Sequence, residues 1–236
     1  MTHHPFHRPD IELEDNASTT HDLRRDLNRL ISANCTVIDV GSNRGQFATE
    51  ILEIRPEANI YCFEPVEEAF VDLFELSRQV PNIHPYKKAV SRENGSATFY
   101  VTVGDEGSSL LEPIAGQPSK WLTTRKKEIV ETIRLEQFIS DNLSTAMDGS
   151  CIDLLKTDAQ GADLEVILSA GKYLTPTCIK AVLTEVNFAN FYNAQYSFQD
   201  ILAAMDKAGY RLGWFYPHRA HDMWLWWADA LFIAKR

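Results

Sequence analysis

The stretch VIDVGSNRGQF, residues 37–47, decides the fold. Its apolar start is typical of a buried parallel strand, and the segment from Gly41 to Gly45 is typical of a tight turn into a helix. Glycines in such a turn let the backbone approach a ligand closely and adopt angles that a side chain would forbid. Asn43 stands where a dinucleotide fingerprint would have its second glycine. The turn therefore predicts a nucleotide-type cofactor without the usual NAD pattern.

A second apolar strand, residues 59–64, ends in a carboxylate, Glu64. An acidic side chain about 20 residues beyond a glycine turn is placed to accept hydrogen bonds from both hydroxyls of a cofactor ribose. The alternative is a solvated glutamate at a strand end. The preceding glycine turn favours the ribose role for Glu64.

The composition is that of an ordinary globular protein, with 236 residues, of which 44% are hydrophobic and 24% charged. We expect a flexible leader over residues 1–18 and a single domain over residues 19–236. The sequence contains no apolar run long enough to span a bilayer and no signal-peptide pattern, so we predict a cytoplasmic protein without a membrane span.

The net charge of −10 disfavours nucleic-acid binding, which needs a basic face. A local basic cluster, Lys120 with residues 125–127, is usually solvated surface but would suit an anionic substrate beside a pocket. The four cysteines lack metal-ligand spacing, so we predict no metal site from them. The oligomeric state stays open, a homo-oligomer included.

Apolar periodicity predicts alternating strands and helices after the glycine turn. The expected strands are residues 59–64, 83–90, 96–103, 151–158, 179–186, 210–216 and 229–234, and the expected helices are residues 46–54, 66–80, 135–143, 162–170 and 198–208. This order predicts a doubly wound α/β fold. Residues 104–127 break the pattern with three glycines and two prolines, which is typical of a lid or substrate loop. A second loop is expected over residues 217–228.

Two carboxylates follow predicted sheet strands. Asp158 and Glu185 lie at the carboxyl ends of their strands, where open α/β sheets bind ligands. For Asp158, the alternative is the N-cap of the helix that starts near Ala162. Both residues are candidates for a site at this rim.

These segments resemble the FkbM-type family of S-adenosylmethionine-dependent methyltransferases, which have a class I, Rossmann-like fold. The resemblance runs from about residue 35 to 235, and Lys156-x-Asp158-x-x-Gly161 is its most specific motif. The matching pieces are residues 37–45, 63–65, 89–91, 152–165 and 185–186. The chain departs from the family pattern at Arg44, near which the family usually has a hydrophobic residue, and at Gln160, where it usually has a glutamate.

The resemblance implies a three-layer α/β/α fold around a mostly parallel seven-stranded sheet in the order 3-2-1-4-5-7-6, with an antiparallel last strand. It also implies S-adenosylmethionine as cofactor and O-methylation of a sugar or natural-product hydroxyl. The residues then expected to bind the cofactor are Asp39, Gly41, Asn43, Arg44, Gly45, Glu64, Pro65, Ala89, Val90 and Asp158. Asp39 suits the positive charges of this cofactor, and Arg44 could pair with its carboxylate.

Methyl transfer to a hydroxyl needs alignment and a base. Asp158 is the first candidate base, followed by Glu185, His218 and His221. Asp158, Glu185 and a nearby carboxylate could also hold Mg²⁺ against a sugar diol. Trp224, Trp226 and Trp227 either pack the last strands or offer an aromatic face to a sugar.

We therefore predict an S-adenosylmethionine-dependent O-methyltransferase with a small-molecule or carbohydrate acceptor. The alternatives are an N-methyltransferase on a small molecule, an NAD-dependent oxidoreductase on a Rossmann-like fold, and a cofactor-binding protein without catalysis. The substitution of Asn43 for glycine disfavours the oxidoreductase.

Overall fold

The computed structural model describes residues 21–116, 120–143, 152–221 and 224–235, except for the side chains of residues 217–221. The leader predicted for residues 1–18 lies outside the described residues. No helix in the described part is long and apolar enough to cross a bilayer.

Strands and helices alternate along the described chain. The strands are β1 (Thr36–Val40), β2 (Asn59–Phe63), β3 (Ile83–Tyr86), β4 (Ala89–Val90), β5 (Gly95–Thr102), β6 (Thr124–Ile133), β7 (Ile152–Thr157), β8 (Ile179–Asn187), β9 (Tyr210–His221) and β10 (Trp224–Ala234). The helices are α1 (Leu23–Leu30), α2 (Gln46–Ile54), α3 (Glu67–Gln79), α4 (Leu135–Asn142), α5 (Asp163–Ser169) and α6 (Phe198–Lys207).

A seven-stranded sheet in the order β3-β2-β1-β7-β8-β10-β9 forms the centre of the protein. Five of these strands, β3, β2, β1, β7 and β8, run parallel to one another, and β10 is antiparallel to both of its neighbours. This topology confirms the predicted order and the antiparallel last strand. Because parallel strands cannot be joined by tight turns, helices must connect them and therefore cover both faces.

Two apolar cores, one on each face, hold the helices against the sheet. Ile38 and Leu155 belong to the core that contains side chains of α4, α5 and α6. Val37 and Leu154 belong to the core that contains side chains of α1, α2 and α3. Successive residues of a strand point to opposite faces, so one apolar run supplies both cores. The predicted three-layer α/β/α architecture is confirmed.

A second, three-stranded sheet in the order β4-β6-β5 was not predicted. The strand expected over residues 83–90 is divided: β3 pairs with β2 in the central sheet, while β4 pairs with β6. The predicted boundary of the lid loop was also wrong, because Thr124 already belongs to β6. The hairpin of β9 and β10 likewise replaces most of the loop expected over residues 217–228.

Three members of the basic cluster, residues 125–127, lie on β6 and are paired with carboxylates. Arg125 and Lys126 contact Glu68 at 3.2 and 2.9 Å, and Lys127 contacts Glu112 at 3.0 Å. Exposed ion pairs of this kind contribute little to stability. They do, however, engage the three cations, which weakens the alternative of an anion-binding cluster.

Candidate active site

A cavity of about 440 Å³ opens at the carboxyl ends of β1, β2, β7 and β8. This is the edge where open α/β sheets bind their ligands. Of the residues expected at the site, eight lie on the cavity wall: Gly41, Asn43, Glu64, Pro65, Ala89, Val90, Asp158 and Glu185. The structure therefore brings most of the predicted site together.

The turn after β1 requires glycine for a steric reason. Gly41 has a φ of +74°, and a Cβ at this position would lie 2.0 Å from the carbonyl oxygen of Asp158. The amides of Gly41 and Ser42 both donate to the Phe63 carbonyl, at 3.0 and 3.1 Å. Only a residue without a side chain lets β1, β2 and β7 meet this closely.

Glu64 is a buried carboxylate on the cavity wall, with 5% of its surface exposed. Its Oε1 accepts the Val66 amide at 2.7 Å and its Oε2 accepts the Asn43 amide at 3.0 Å. Burial raises its pKa to about 7 despite these two hydrogen bonds. Each oxygen keeps a further lone pair, so the carboxylate fits the two hydroxyls of a ribose.

The wall beside Glu64 is apolar. Phe63, Val90, Phe99 and Leu110 line this part of the cavity, and Val90 and Phe99 are themselves almost completely buried. The flat faces of an aromatic base can pack against such side chains. This end of the cavity therefore fits an adenine.

Arg44 does not line the cavity. Its Nε lies 2.9 Å from Asp72 Oδ2, and its Nη2 lies 2.6 Å from Asp105 Oδ2. Both carboxylates hold the pKa of the guanidinium above its usual value, Asp105 most strongly. The guanidinium thus has carboxylate partners within the chain, in contrast to the expected pairing with a cofactor carboxylate. Gly45 is also absent from the wall and packs against Leu76.

Lys156 lies beneath the glycine turn at the centre of the sheet edge. Its Nζ donates to the Gly41 carbonyl at 3.2 Å and lies 3.3 Å from Asp39 Oδ1 and 3.6 Å from Asp158 Oδ2. Burial alone would lower the pKa of this lysine, but Asp39 and Asp158 raise it above its usual value. Asp39 itself is fully buried and does not line the cavity. It contacts Lys156, in contrast to the expected contact with the cofactor.

Asp158, Glu185 and Gln160 form a connected group at the other end of the cavity. Gln160 Nε2 donates to Asp158 Oδ1 at 2.7 Å and to Glu185 Oε1 at 3.1 Å. The Tyr192 hydroxyl lies 2.9 Å from Gln160 Oε1. Burial, and then the charge of Asp158, raises the pKa of Glu185 well above its usual value. Burial therefore favours the neutral form of this carboxyl group.

Asp158 is not the N-cap of α5, because the N-cap is Ala162 and no side chain caps this helix. Asp163, the first residue of α5, instead binds the turn that precedes the helix. Asp163 Oδ1 accepts the Ala159 amide at 3.0 Å and the Thr157 hydroxyl at 2.8 Å, and its Oδ2 accepts the Gly161 amide at 3.2 Å. Asp158 makes no such contact with the helix start, and its side chain is 37% exposed. It is free to meet a ligand.

Aromatic side chains share the cavity wall with these carboxylates. Trp121, Phe191 and Trp227 line the wall, and the ring centroid of Trp227 lies 6.1 Å from that of Trp121 and 5.8 Å from that of Phe191. Trp226 packs behind them against Phe191. Trp224 is 75% exposed and does not line the cavity.

The two histidines predicted as bases, His218 and His221, belong to β9. They fall in residues 217–221, whose side chains lie outside the described part of the structure. Among the side chains that the structure describes, no group of three or more His, Cys, Asp or Glu is arranged to hold a metal ion.

Residues 39–212 match the family of the methyltransferase FkbM domain. The chain belongs to the FkbM methyltransferase family. Methyltransferases of this family use S-adenosylmethionine, and the cavity of this methyltransferase fits that cofactor at Glu64 and along the apolar wall. The alternative of an NAD-dependent oxidoreductase loses its support, because both the family match and the sequence of the glycine turn indicate a methyltransferase.

Individual relatives are more distant. The methyltransferase is 29% identical over 175 residues to the 2-O-methyltransferase NoeI of Sinorhizobium fredii, a match that covers 70% of this chain and 69% of that protein. Its fold is similar to that of TrmK from M. capricolum in complex with S-adenosylhomocysteine, with a TM-score of 0.49, 6% identity and coverage of 90% and 68%. Aeropyrum pernix fibrillarin with bound S-adenosylmethionine has a TM-score of 0.47, 12% identity and coverage of 86% and 68%. Both TM-scores are low, so the family match carries the assignment.

Several wall residues were missed by sequence reasoning. Gln160 is part of the most specific motif, and Asn187 follows Glu185 by two positions, so adjacency to the predicted site could have found both. Trp121 lies in a short 3₁₀ helix and Phe191 in an irregular segment, both without a local signal, and Asp229 was predicted only as part of a strand. These three reach the cavity through long-range contacts that periodicity does not report.

Proposed function

We propose that the protein is an O-methyltransferase whose acceptor is a hydroxyl of a neutral or amino-substituted sugar. The observation that carries this proposal is the composition of the cavity opposite the Glu64 end. There, Trp121, Phe191 and Trp227 line the same cavity as Asp158 and Glu185. Aromatic faces stack on the apolar side of a sugar ring, while carboxylates accept hydrogen bonds from its hydroxyls.

The charge of the wall supports a neutral or cationic acceptor. Glu50, Asp105, Glu106, Asp158, Glu185 and Asp229 line the cavity. The lysines on the described wall already have carboxylate partners, since Lys88 pairs with Glu131 and Lys156 lies beside Asp39. A phosphate would find several carboxylates and no unpaired lysine among these residues. We therefore infer that sugar phosphates and nucleotide sugars are poor acceptors.

Asp158 is the proposed base. Bound S-adenosylmethionine supplies an electrophilic methyl group, and the acceptor oxygen must lose its proton as the new bond to that methyl forms. Asp158 would take this proton, because its carboxylate is open to the cavity. Glu185 is buried, and its pKa is raised well above the usual value, which suits it better to donate a hydrogen bond to the acceptor than to remove a proton.

An acceptor screen with S-adenosylmethionine tests the proposal. The panel contains neutral glycosides, amino sugars, their 6-phosphates and nucleotide sugars, and S-adenosylhomocysteine release is measured. We expect turnover with members of the first two classes. Exclusive transfer to nitrogen, identified by mass spectrometry of the product, or a preference for phosphorylated acceptors would contradict it.

A variant separates catalysis from binding. Asp158→Asn should slow methyl transfer by roughly 100-fold or more, because it removes the base. It should leave the affinity for S-adenosylhomocysteine close to the wild-type value, since Glu64 and the apolar wall are unchanged. Wild-type rates in Asp158→Asn would remove Asp158 from the mechanism.

A further inference from the structure

The side-chain amide of Gln160 stands between the two carboxylates of the acceptor end. Its Nε2 is 2.7 Å from Asp158 Oδ1 and 3.1 Å from Glu185 Oε1. Asn187 Nδ2 lies 3.3 Å from the same Glu185 oxygen. The two carboxyl groups therefore converge on one point, and an N–H donor occupies that point.

The surroundings determine which way the amide points. With the amide reversed, its oxygen would face Asp158 Oδ1 and Glu185 Oε1, and a carboxylate oxygen without a proton cannot donate to it. In the observed orientation the amide oxygen lies beside the Tyr192 hydroxyl, at 2.9 Å. The orientation with Nε2 toward the carboxylates satisfies both of them, and the Tyr192 hydroxyl, which also lies 2.9 Å from the Gly107 carbonyl, can donate to the amide oxygen.

The backbone around the amide is held as well. Gln160 has a φ of +52°, which residues with side chains rarely adopt. The Ser109 hydroxyl lies 3.2 Å from the Ala159 carbonyl and 2.9 Å from the Gln160 carbonyl, so residues near the start of the predicted lid are attached to this turn. The amide is thus fixed from both its backbone and its side chain.

A divalent cation does not fit these residues. Magnesium binds oxygen ligands at about 2.0–2.1 Å and would have to lie between Asp158 and Glu185, where the NH₂ group of Gln160 is found. The amide hydrogens point toward that position and repel a cation. Lys156, whose Nζ is 3.6 Å from Asp158 Oδ2, adds positive charge on the other side of the same carboxylate.

We propose that Gln160 takes the place of a bridging cation: it positions Asp158 and Glu185 toward the acceptor and makes methyl transfer independent of divalent metal. This rests on the proposed function only in assigning the acceptor to this end of the cavity. Gln160 is a positioning residue, because it acts through the two carboxylates.

A Mn²⁺ titration tests the proposal without any acceptor. Wild-type protein, Gln160→Glu and Gln137→Glu are titrated with Mn²⁺ and the free ion is followed by electron paramagnetic resonance. In Gln160→Glu a third carboxylate replaces the amide, so we expect Mn²⁺ affinity to rise by roughly tenfold or more over wild type. Gln137 is the matched control, because its amide also donates to a carboxylate, Asp141, at 2.8 Å, but on the solvent-exposed face of α4.

Two results would overturn the proposal. One is a folded Gln160→Glu variant that binds Mn²⁺ no better than Gln137→Glu. The other is Mn²⁺ binding by the wild-type protein that is lost in the Asp158→Asn variant. This second result would overturn the proposal even if Gln160→Glu does not fold. Once an acceptor is known, wild-type turnover should be unchanged by a chelator and by added Mg²⁺. A failed acceptor screen would contradict the proposed function while leaving the titration valid.

Discussion

The ammonium of Lys156 lies 3.3 Å from Asp39 Oδ1, and the two residues are partners across the paired strands β1 and β7. Asp39 is completely buried, and neither of its oxygens has a hydrogen bond of good geometry from a described residue. The lysine therefore supplies the charge that compensates a carboxylate at the centre of the sheet.

Removing this lysine should destabilise the protein strongly. In Lys156→Met the charge of Asp39 stays buried without its partner, which costs about 3–5 kcal/mol of unfolding free energy. Urea unfolding followed by circular dichroism measures the loss. The double variant Asp39→Asn/Lys156→Met should recover much of it, and a double variant as unstable as the single one would show that packing of the lysine, and not its charge, matters.

Cofactor affinity should depend on the ionisation of Glu64. Its pKa is raised to about 7, and it must be ionised to accept hydrogen bonds from two ribose hydroxyls. The affinity for S-adenosylhomocysteine should therefore rise roughly tenfold between pH 6 and pH 8. Isothermal titration measures it. Glu64→Ala should bind more weakly, by about 1.5–3 kcal/mol, and without this pH dependence; an equal pH dependence in Glu64→Ala would assign it to another group.

The same carboxylate should make the cofactor-free protein less stable at higher pH. Because the pKa of Glu64 is higher in the folded than in the unfolded state, the unfolded chain loses this proton first as the pH rises, and the stability falls between about pH 4.5 and 7. Comparing Glu64→Gln with wild type by urea unfolding at pH 5 and 8 isolates the effect. From pH 5 to pH 8, the unfolding free energy of Glu64→Gln should rise relative to that of wild type by about 1–3 kcal/mol. A difference that is the same at both pH values would contradict the linkage.

Asp158 and Asp163 should respond oppositely to substitution. Asp163→Ala removes an acceptor of three hydrogen bonds and should cost about 2–4 kcal/mol of stability. Asp158→Ala removes a charge that raises the pKa of both Glu185 and Asp163, so the melting temperature should stay the same or rise slightly. Thermal unfolding of the two variants distinguishes the structural aspartate from the proposed base. A destabilised Asp158→Ala would return the capping role to Asp158.

The aromatic wall should affect acceptor binding and not cofactor binding. Trp227→Ala removes a ring from the cavity, and we expect the KM for a sugar acceptor to rise by roughly tenfold, equivalent to about 1.4 kcal/mol of lost stacking. Trp224→Ala is the control, because Trp224 is 75% exposed and does not line the cavity. Equal KM changes in both variants would point to a general effect on the β9–β10 hairpin.

The sequence by itself determined the layout of the central sheet and one end of the cavity. The apolar run at residues 37–40, the glycine turn and Glu64 are local features, in which neighbouring residues alone restrict the backbone. Helix α2 was predicted with the bounds that the structure has, Gln46–Ile54, for the same reason. The family resemblance supplied the order of the strands, which local patterns do not contain.

Only the tertiary structure decided which side chains meet. Arg44 lies in the glycine turn, yet Asp72 and Asp105, which are far away in the sequence, engage its guanidinium outside the cavity. Gln160 lies between Asp158 and Glu185 because β7 and β8 are neighbours and the turn after β7 is fixed by Ser109. Contacts of this kind depend on strand pairing and loop geometry over long separations. A periodic pattern tells which face of a strand is buried, but it does not tell what is packed against that face.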